Sequence, residues 1–406
     1  MSYNRNLGLR SPRSAHRTRS FGPKTHNNNR RNNSNRRPRG QYIDPAKFVR
    51  SAKTVEAEQY LPKHTFADFD IDPKIKANLS AKGYEIPSPI QDQTIPVGLA
   101  GKDVIGIANT GTGKTAAFAV PILNKLINDR NHRALIIAPT RELAQQIEDE
   151  CRSIARGTGL SGTVLIGGTN MGGQLRDLRA NPRVVIGTPG RIKDHIQRGS
   201  LKLDNFGMVV LDEVDRMLDM GFVHEVRDIL SHLNPERQSF FFSATVDSKI
   251  NGLIQTFSND PTTIMVKTGQ TSDNVNQDVV RYNSTSDKMD KLHDILNKRD
   301  VEKIIVFDET KRSVERLSKE LVARGFLADA IHGGKTQGQR QRALKRFKNT
   351  EINILVATDV AARGIDVADI THVINYSTPQ TYDDYVHRIG RAGRAGRVGH
   401  ALTFVQ

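Results

Sequence analysis

The chain has no tryptophan and a single cysteine, Cys151. One thiol excludes an internal disulfide framework and any multi-cysteine zinc or iron-sulfur centre, and it suits a reducing interior. No apolar run approaches the roughly 18 residues of a membrane span, and the N-terminus lacks the apolar core of a signal peptide, so the sequence reads as a soluble protein. Aromatic residues are only 6% of the chain, which argues against extended base-stacking platforms. Acidic residues are absent before Asp44, and the first 40 positions hold eleven Lys or Arg.

What is present is enough for two cores: 406 residues, of which 37% are apolar. The net charge of +16 points to a polyanionic partner, most often nucleic acid. Its distribution is uneven, because the first 40 residues carry +11 and leave only +5 for the rest. This tail, taken as residues 1–45 and most extreme at RRNNSNRRPRG, buries too little to offset its conformational entropy and is expected to be disordered. It suits a salt-sensitive phosphate tether, with a solubilising extension or a nuclear-import signal as the alternatives.

From about residue 65 short apolar runs alternate with small-residue turns and helical periods. DVIGIA, ALIIAPT, TVLIGG, RVVIGTP, MVVLDE and SFFFSAT read as buried parallel strands of a doubly wound α/β domain, placed at 95–266. The polar run at 267–277 reads as a linker. A second, smaller α/β domain follows at 278–406, with VVRYN, KIIVFDE, INILVATD, THVINYS and ALTFV as its strands.

Two stretches carry chemistry. ANTGTGKT, Ala108 to Thr115, follows a strand and opens a helix, the context of a phosphate-binding loop. Gly111 and Gly113 let backbone amides converge on phosphate oxygens, Lys114 can reach the terminal phosphates, and the Thr115 hydroxyl can bind Mg²⁺. VVLDEVDRML, Val209 to Leu218, runs a buried strand into Asp212, Glu213 and Asp215. Acids at a strand tip beside such a loop suit a metal and a water to be positioned, with Asp212 the metal acid and Glu213 the base. NKRD, Asn297 to Asp300, imitates the guanine-selecting pattern of GTPases, but it follows a helical period where that pattern should close a strand.

These and further motifs, in order along about residues 64 to 406, resemble the DEAD-box RNA helicases of superfamily 2. The carriers are Phe66 with GYEIPSPIQ ending at Gln91 in a Q motif at 64–92, ANTGTGKT, PTREL at 139–143, TPGR at 188–191, DEVD at 212–215 and SAT at 243–245. VFDET at 306–310, HGGKTQGQR at 332–340, ATDVAARGID at 357–366 and HRIGRAGR at 387–394 follow. The resemblance implies two tandem RecA-like domains that hydrolyse ATP with Mg²⁺ and open short RNA duplexes locally.

By the same resemblance, Phe66 and Gln91 select adenine, and Thr110, Gly111, Thr112, Gly113, Lys114 and Thr115 hold the phosphates. Asp212 holds Mg²⁺, through water in that family, and Glu213 is the base. Arg391 and Arg394 are arginine fingers, His387 relays between domains, Asp366 meets the ribose and Arg363 is its cleft partner. Asp215, Ser243 and Thr245 couple nucleotide state to strand separation. Thr140, Arg141, Gly168, Thr188, Arg191, Thr310, Gln337, Arg340 and Thr358 hold the RNA backbone, which implies weak sequence preference.

Core packing for Phe66, a plain strand end for Ser243 and Thr245, and a solvated basic face for HRIGRAGR are the alternatives that those residues leave open by themselves. Val214 stands where DEAD has Ala, and Gly334 where the family usually has Asp. The sequence ends at Gln406 just after its last strand, so targeting is assigned to the tail or to protein partners. A monomer in the cytoplasm, or in the nucleus of a eukaryote, is expected. The competing functions are an ATP-gated RNA clamp or annealing chaperone and a DNA translocase.

Overall fold

A computed structural model describes residues 43–52, 60–109, 111–266, 274–362, 365, 367, 369–393 and 397–406. The basic tail up to residue 42 and most of the expected linker, residues 267–273, lie outside these.

The first sheet is parallel and has seven strands: β1 (Val104–Ile107), β2 (Arg133–Ile137), β3 (Gly162–Leu165), β4 (Val184–Gly187), β5 (Phe206–Leu211), β6 (Gln238–Ser243) and β7 (Thr262–Met265). Their order is β3-β4-β2-β5-β6-β1-β7. The two-residue period of a strand sends Ala134 and Ile136 of β2 into one core and Leu135 and Ile137 into the other. Both faces are covered by helices, so the strands read as continuous apolar runs. The helices Lys114–Asn128 and Arg141–Ile154 cover one face, while Pro189–Gln197, Val223–Ser231 and Ser248–Phe257 cover the other.

The second sheet has six parallel strands: β8 (Val275–Arg281), β9 (Ile304–Phe307), β10 (Ala328–Ile331), β11 (Ile354–Ala357), β12 (His372–Asn375) and β13 (Gly399–Val405), in the order β10-β11-β9-β12-β13-β8. Ile304 and Val306 of β9 face one core, Ile305 and Phe307 the other.

Two boundaries differ from the sequence expectation. β8 begins at Val275, inside the run taken as linker: it is an edge strand in which Val275 is followed by three polar residues, with polar Gln277 buried on the same side as Val275. Ordered structure also begins before residue 46: Asp44 caps a 3₁₀ turn, Pro45–Phe48, by accepting from Ala46 N–H at 2.9 Å. Arg50 then forms an antiparallel bridge with Gln277, so this stretch packs on the second sheet although it precedes the first.

Candidate active site and nucleic-acid interface

The carboxyl ends of parallel strands are where open α/β sheets bind ligands, and the expected site residues gather there. After β1 the chain turns through Gly111 and Gly113, whose φ of +83° and +90° are costly for residues with a Cβ. The turn ends at Lys114, the first residue of the helix Lys114–Asn128, so helix amides point into the turn. Lys114 is buried and its Nζ donates to the Ala108 carbonyl at 3.1 Å. The Thr112 hydroxyl donates to the Asn109 carbonyl at 2.9 Å.

Gln91 is buried against this loop, its Nε2 donating to the Gly113 carbonyl at 3.1 Å and its Oε1 accepting from Ser88 N–H at 2.9 Å. Phe66 is only 4% exposed and meets Phe69 and Tyr84 edge-on, at ring separations of 5.7 and 5.4 Å. It is a core residue whose neighbour Tyr84, rather than Phe66 itself, lines the cleft.

The acids follow β5. Asp212 Oδ1 accepts from Glu213 N–H at 3.0 Å. Burial pushes its carboxyl up to about 6, with Glu213 adding to the shift and Lys114 opposing it. Burial also acts to raise Glu213, but the charges of Arg216, Lys114, Arg391 and His387 outweigh it and hold that carboxyl below its usual range. Glu213 adopts φ +54° and ψ +55°, the left-handed region, immediately before the helix Val214–Asp219. Val214 is fully buried in the second of the first domain's cores, so the valine of DEVD is accommodated by packing.

Asp215 Oδ2 accepts from Ala244 N–H at 3.0 Å and Thr245 N–H at 3.2 Å, and the Thr245 hydroxyl lies 3.5 Å away. The Asp215 amide donates to Ser243 Oγ at 3.3 Å. The DEVD and SAT stretches are thereby one hydrogen-bonded unit.

The second domain completes the cleft. Arg391 is 3% exposed, donates through Nη1 to the Ile365 carbonyl at 2.9 Å, and shares a cavity of about 550 Å³ with Lys114, Thr115, Asp212 and Glu213. His387 Nδ1 lies 3.0 Å from Arg216 Nη2, and Arg216 Nε lies 3.4 Å from Glu213 Oε2. Arg216 is thus a residue the sequence reading missed, and its position three residues after Glu213 on one helix was the available signal. Arg388, although in the same basic run, is clamped by Asp359, with its Nη2 2.7 Å from Oδ2, and by the Ser377 carbonyl, so it braces the fold. Thr110, Arg363, Asp366 and Arg394 lie outside the described residues.

The residues expected on RNA divide into two groups. Thr140 and Thr310 follow β2 and β9 and cap their helices, accepting from Leu143 N–H at 3.2 Å and Ser313 N–H at 3.0 Å. Thr188 follows β4 and precedes the helix Pro189–Gln197, and Thr358 follows β11 directly. Arg141 lies against Gly168, where φ is +75° and an added Cβ would come within 2.2 Å of the guanidinium. Arg191 is 3.6 Å from Asp194.

Gln337 and Arg340 are placed differently. Both are buried and turned to Glu142 of the first domain: Gln337 Nε2 donates at 3.3 Å and Arg340 Nη2 sits 2.7 Å from the carboxylate. They bond across the cleft, and Glu142 is a second residue that the sequence reading passed over. Gly334 is exposed and its amide donates to His332 Nδ1 at 3.1 Å.

One other cluster among the described residues, Asp300, His372 and His400, brings three possible metal-ligating atoms within 4.8 Å. The two imidazoles stack with planes 13° apart and centroids 4.8 Å apart. Lone pairs in parallel planes cannot both point at one ion about 2.0–2.1 Å away. Burial, reinforced by His400, pushes His372 down to about 4, as for a neutral packing pair. Asp300 ends NKRD, which here follows the helix Thr285–Leu296 and closes no strand.

Comparison with known proteins agrees with this geometry. The DEAD/DEAH box helicase family profile matches residues 88–253, and the helicase conserved C-terminal domain matches residues 287–396. The ATP-dependent RNA helicase CshA of Listeria monocytogenes is 46% identical over 84% of this chain and 66% of its own length. The DEAD-box ATP-dependent RNA helicase CshA of Bacillus subtilis is 44% identical over 84% of this chain and 69% of its own. The chain thus spans about two thirds of the length of these relatives. Among solved structures, Saccharomyces cerevisiae Dbp5 bound to RNA and ADP BeF3 superposes with a TM-score of 0.75 at 28% identity, covering 84% of this chain and 89% of Dbp5. With two parallel-sheet domains, a phosphate loop, strand-tip acids and relatives of this identity, the chain belongs to the DEAD/DEAH box helicase family.

Proposed function

We propose that the protein is an ATP-dependent RNA helicase in which RNA-stimulated hydrolysis of ATP to ADP and phosphate drives closure and reopening of the two domains. The observation that carries this reading is the shared cavity: Lys114, Thr115, Asp212 and Glu213 come from the first domain and Arg391 from the second. A site divided in this way is complete only while the domains are together, so hydrolysis depends on whatever holds them so.

Each residue has a role in that reading. Lys114 and the amides after Gly113 bind the terminal phosphates. Gln91, fixed to the phosphate loop, presents its amide edge to adenine. Glu213, held ionised by its cationic neighbours, orients the attacking water and accepts its proton. Arg391 meets charge that develops on the transferred phosphoryl group. Buried Asp212 and the Thr115 hydroxyl line the same cavity and are an oxygen donor set that fits Mg²⁺. When bound there, Mg²⁺ would neutralise phosphate charge.

RNA, in the same reading, lies along the helix N-termini after Thr140, Thr188, Thr310 and Thr358, with Arg141 and Arg191 on its phosphates. Gln337 and Arg340 act indirectly by holding the domains together through Glu142. The backbone amides and arginines gathered there suit phosphates rather than base edges, which supports binding with little sequence preference. Because one chain supplies both halves of the site, a monomer suffices. ATP and RNA as substrates favour a cytoplasmic enzyme.

The test is strand release from a short RNA duplex, measured beside annealing of the same strands. ATP-dependent release from RNA, and not from the matching DNA duplex, is the expected result. Annealing alone would favour the clamp or chaperone, and equal action on DNA would favour the translocase.

A further inference from the structure

The segment 43–52 precedes every catalytic motif yet packs under the helix that carries the second domain's catalytic groups. Phe48 is fully buried, its ring 4.6 Å from that of Tyr385 and packed with Val275, Ile389, Ala401 and Val405. Arg50 and Gln277 exchange both backbone hydrogen bonds, at 2.9 and 2.8 Å. Ala52 N–H donates to Asn276 Oδ1 at 2.8 Å. Gln277 does more than pair with the segment: its Oε1 accepts from the Tyr385 hydroxyl at 2.9 Å. One residue of β8 therefore holds the segment with its backbone and the helix Tyr382–Ile389 with its side chain.

That helix leads directly into the cleft. It bears His387, which meets Arg216 of the first domain, and Arg391 follows it with Nε 3.3 Å from the His387 carbonyl. A few residues further along the chain from the segment, Tyr60 OH and Lys63 N–H both donate to Asp92, at 2.5 and 2.9 Å. Asp92 adjoins Gln91, the residue bonded to the phosphate loop.

We propose that residues 43–52 are a positioning strap: Phe48 fills the space beneath Tyr385 and so sets the height and angle at which the following helix delivers His387 and Arg391 to the nucleotide. The strap rests on the ATPase reading given above. Phe48 touches no reacting atom. It acts through Tyr385 and Gln277, and its loss lowers the rate of the chemical step without weakening capture of ATP by Gln91 and Lys114. A cavity left in a close-packed core relaxes only partly, so the helix above it shifts or gains freedom.

The experiment uses the full chain and compares wild type, Phe48→Leu and Phe48→Ala in steady-state ATPase assays at saturating single-stranded RNA, with thermal melts to fix a temperature at which each is folded. The expected result is at least a tenfold lower kcat for Phe48→Ala with KM for ATP within twofold, and recovery of most of the rate in Phe48→Leu. A folded Phe48→Ala with kcat within twofold of wild type overturns the strap, and so does a loss that disappears on cooling in step with the folded fraction. If Phe48→Ala does not fold, Gln277→Ala, which removes the acceptor of the Tyr385 hydroxyl and leaves Phe48 in place, takes its role: a kcat at least tenfold lower is expected, and a kcat within twofold of wild type overturns the strap. Absence of RNA-stimulated turnover in the wild type overturns the helicase reading instead.

Discussion

Asp212 and Glu213 are sequence neighbours and both fully buried, yet their environments drive them apart. The cause is local. Burial is the largest influence on both, but at Glu213 the charges of Arg216, Lys114, Arg391 and His387 outweigh it, whereas at Asp212 Lys114 and the Glu213 amide oppose it only in part. A carboxyl raised in the folded state binds protons that the unfolded chain releases, so Asp212 costs stability above its folded value of about 6 and less as pH falls towards the ordinary 3.8. The shift corresponds to roughly 3 kcal/mol at neutral pH. Asp212→Asn is therefore expected to raise the melting temperature at pH 7.5 while abolishing turnover, and the gain should shrink when the melts are repeated at pH 5. A gain that grows at pH 5 would reverse the sign. The left-handed backbone of Glu213 is a second local cost, of about 1–3 kcal/mol. At this scale the sequence was most informative: a run of apolar residues ending in three acids can only be a strand tip. What was passed over were Glu142, whose partners Gln337 and Arg340 lie on the other domain, and Arg216, whose spacing from Glu213 was legible but whose contact with His387 across the cleft was not.

At the scale of elements, the legible parts were those where one physical rule dominates. β1, β2, β4, β5 and β6 are buried on both faces and read as continuous apolar runs. The two strands that escaped notice are edges. β7, TTIM, is half polar because one side meets solvent, and β10, ADAI, carries Asp329, which pairs with Arg346 at 3.1 Å. The strap and the start of β8 were missed for a related reason, since their partners are distant in sequence and their own composition is mixed. The DEVD and SAT turns illustrate coupling between elements: Asp215 satisfies the amides of Ala244 and Thr245 at the end of β6. Asp215→Ala would remove the acceptor of these two part-buried amides, at a cost for each below the about 1–3 kcal/mol of a fully buried unpaired group. Its expected phenotype is a lowered melting temperature together with loss of strand release out of proportion to any loss of ATPase. Equal losses in both activities would mean that the two turns do not transmit the nucleotide state.

For the whole molecule, the two domains meet through a small set of polar contacts. Glu142 receives both Gln337 and Arg340, and Arg216 meets His387. Removing one partner of a buried charge pair usually costs about 3–5 kcal/mol, and here the cost falls on the closed arrangement. Glu142→Ala should therefore raise the RNA concentration for half-maximal ATPase stimulation by tenfold or more, with little change in turnover without RNA. An unchanged RNA requirement would assign those contacts to folding alone. The two-domain layout itself was legible from composition and alternation. The closed geometry was not, because no local pattern records which side chains meet across a cleft.

The measurement that bears most directly on the coupled cleft is ATP turnover with and without single-stranded RNA, with matched single-stranded DNA as control, for the wild type and Glu213→Gln. The expected result is strong stimulation by RNA alone, and a variant that still binds nucleotide but turns it over about 10²- to 10⁴-fold more slowly. ATP hydrolysis at full rate without any nucleic acid, or a Glu213→Gln variant as active as the wild type, would contradict it.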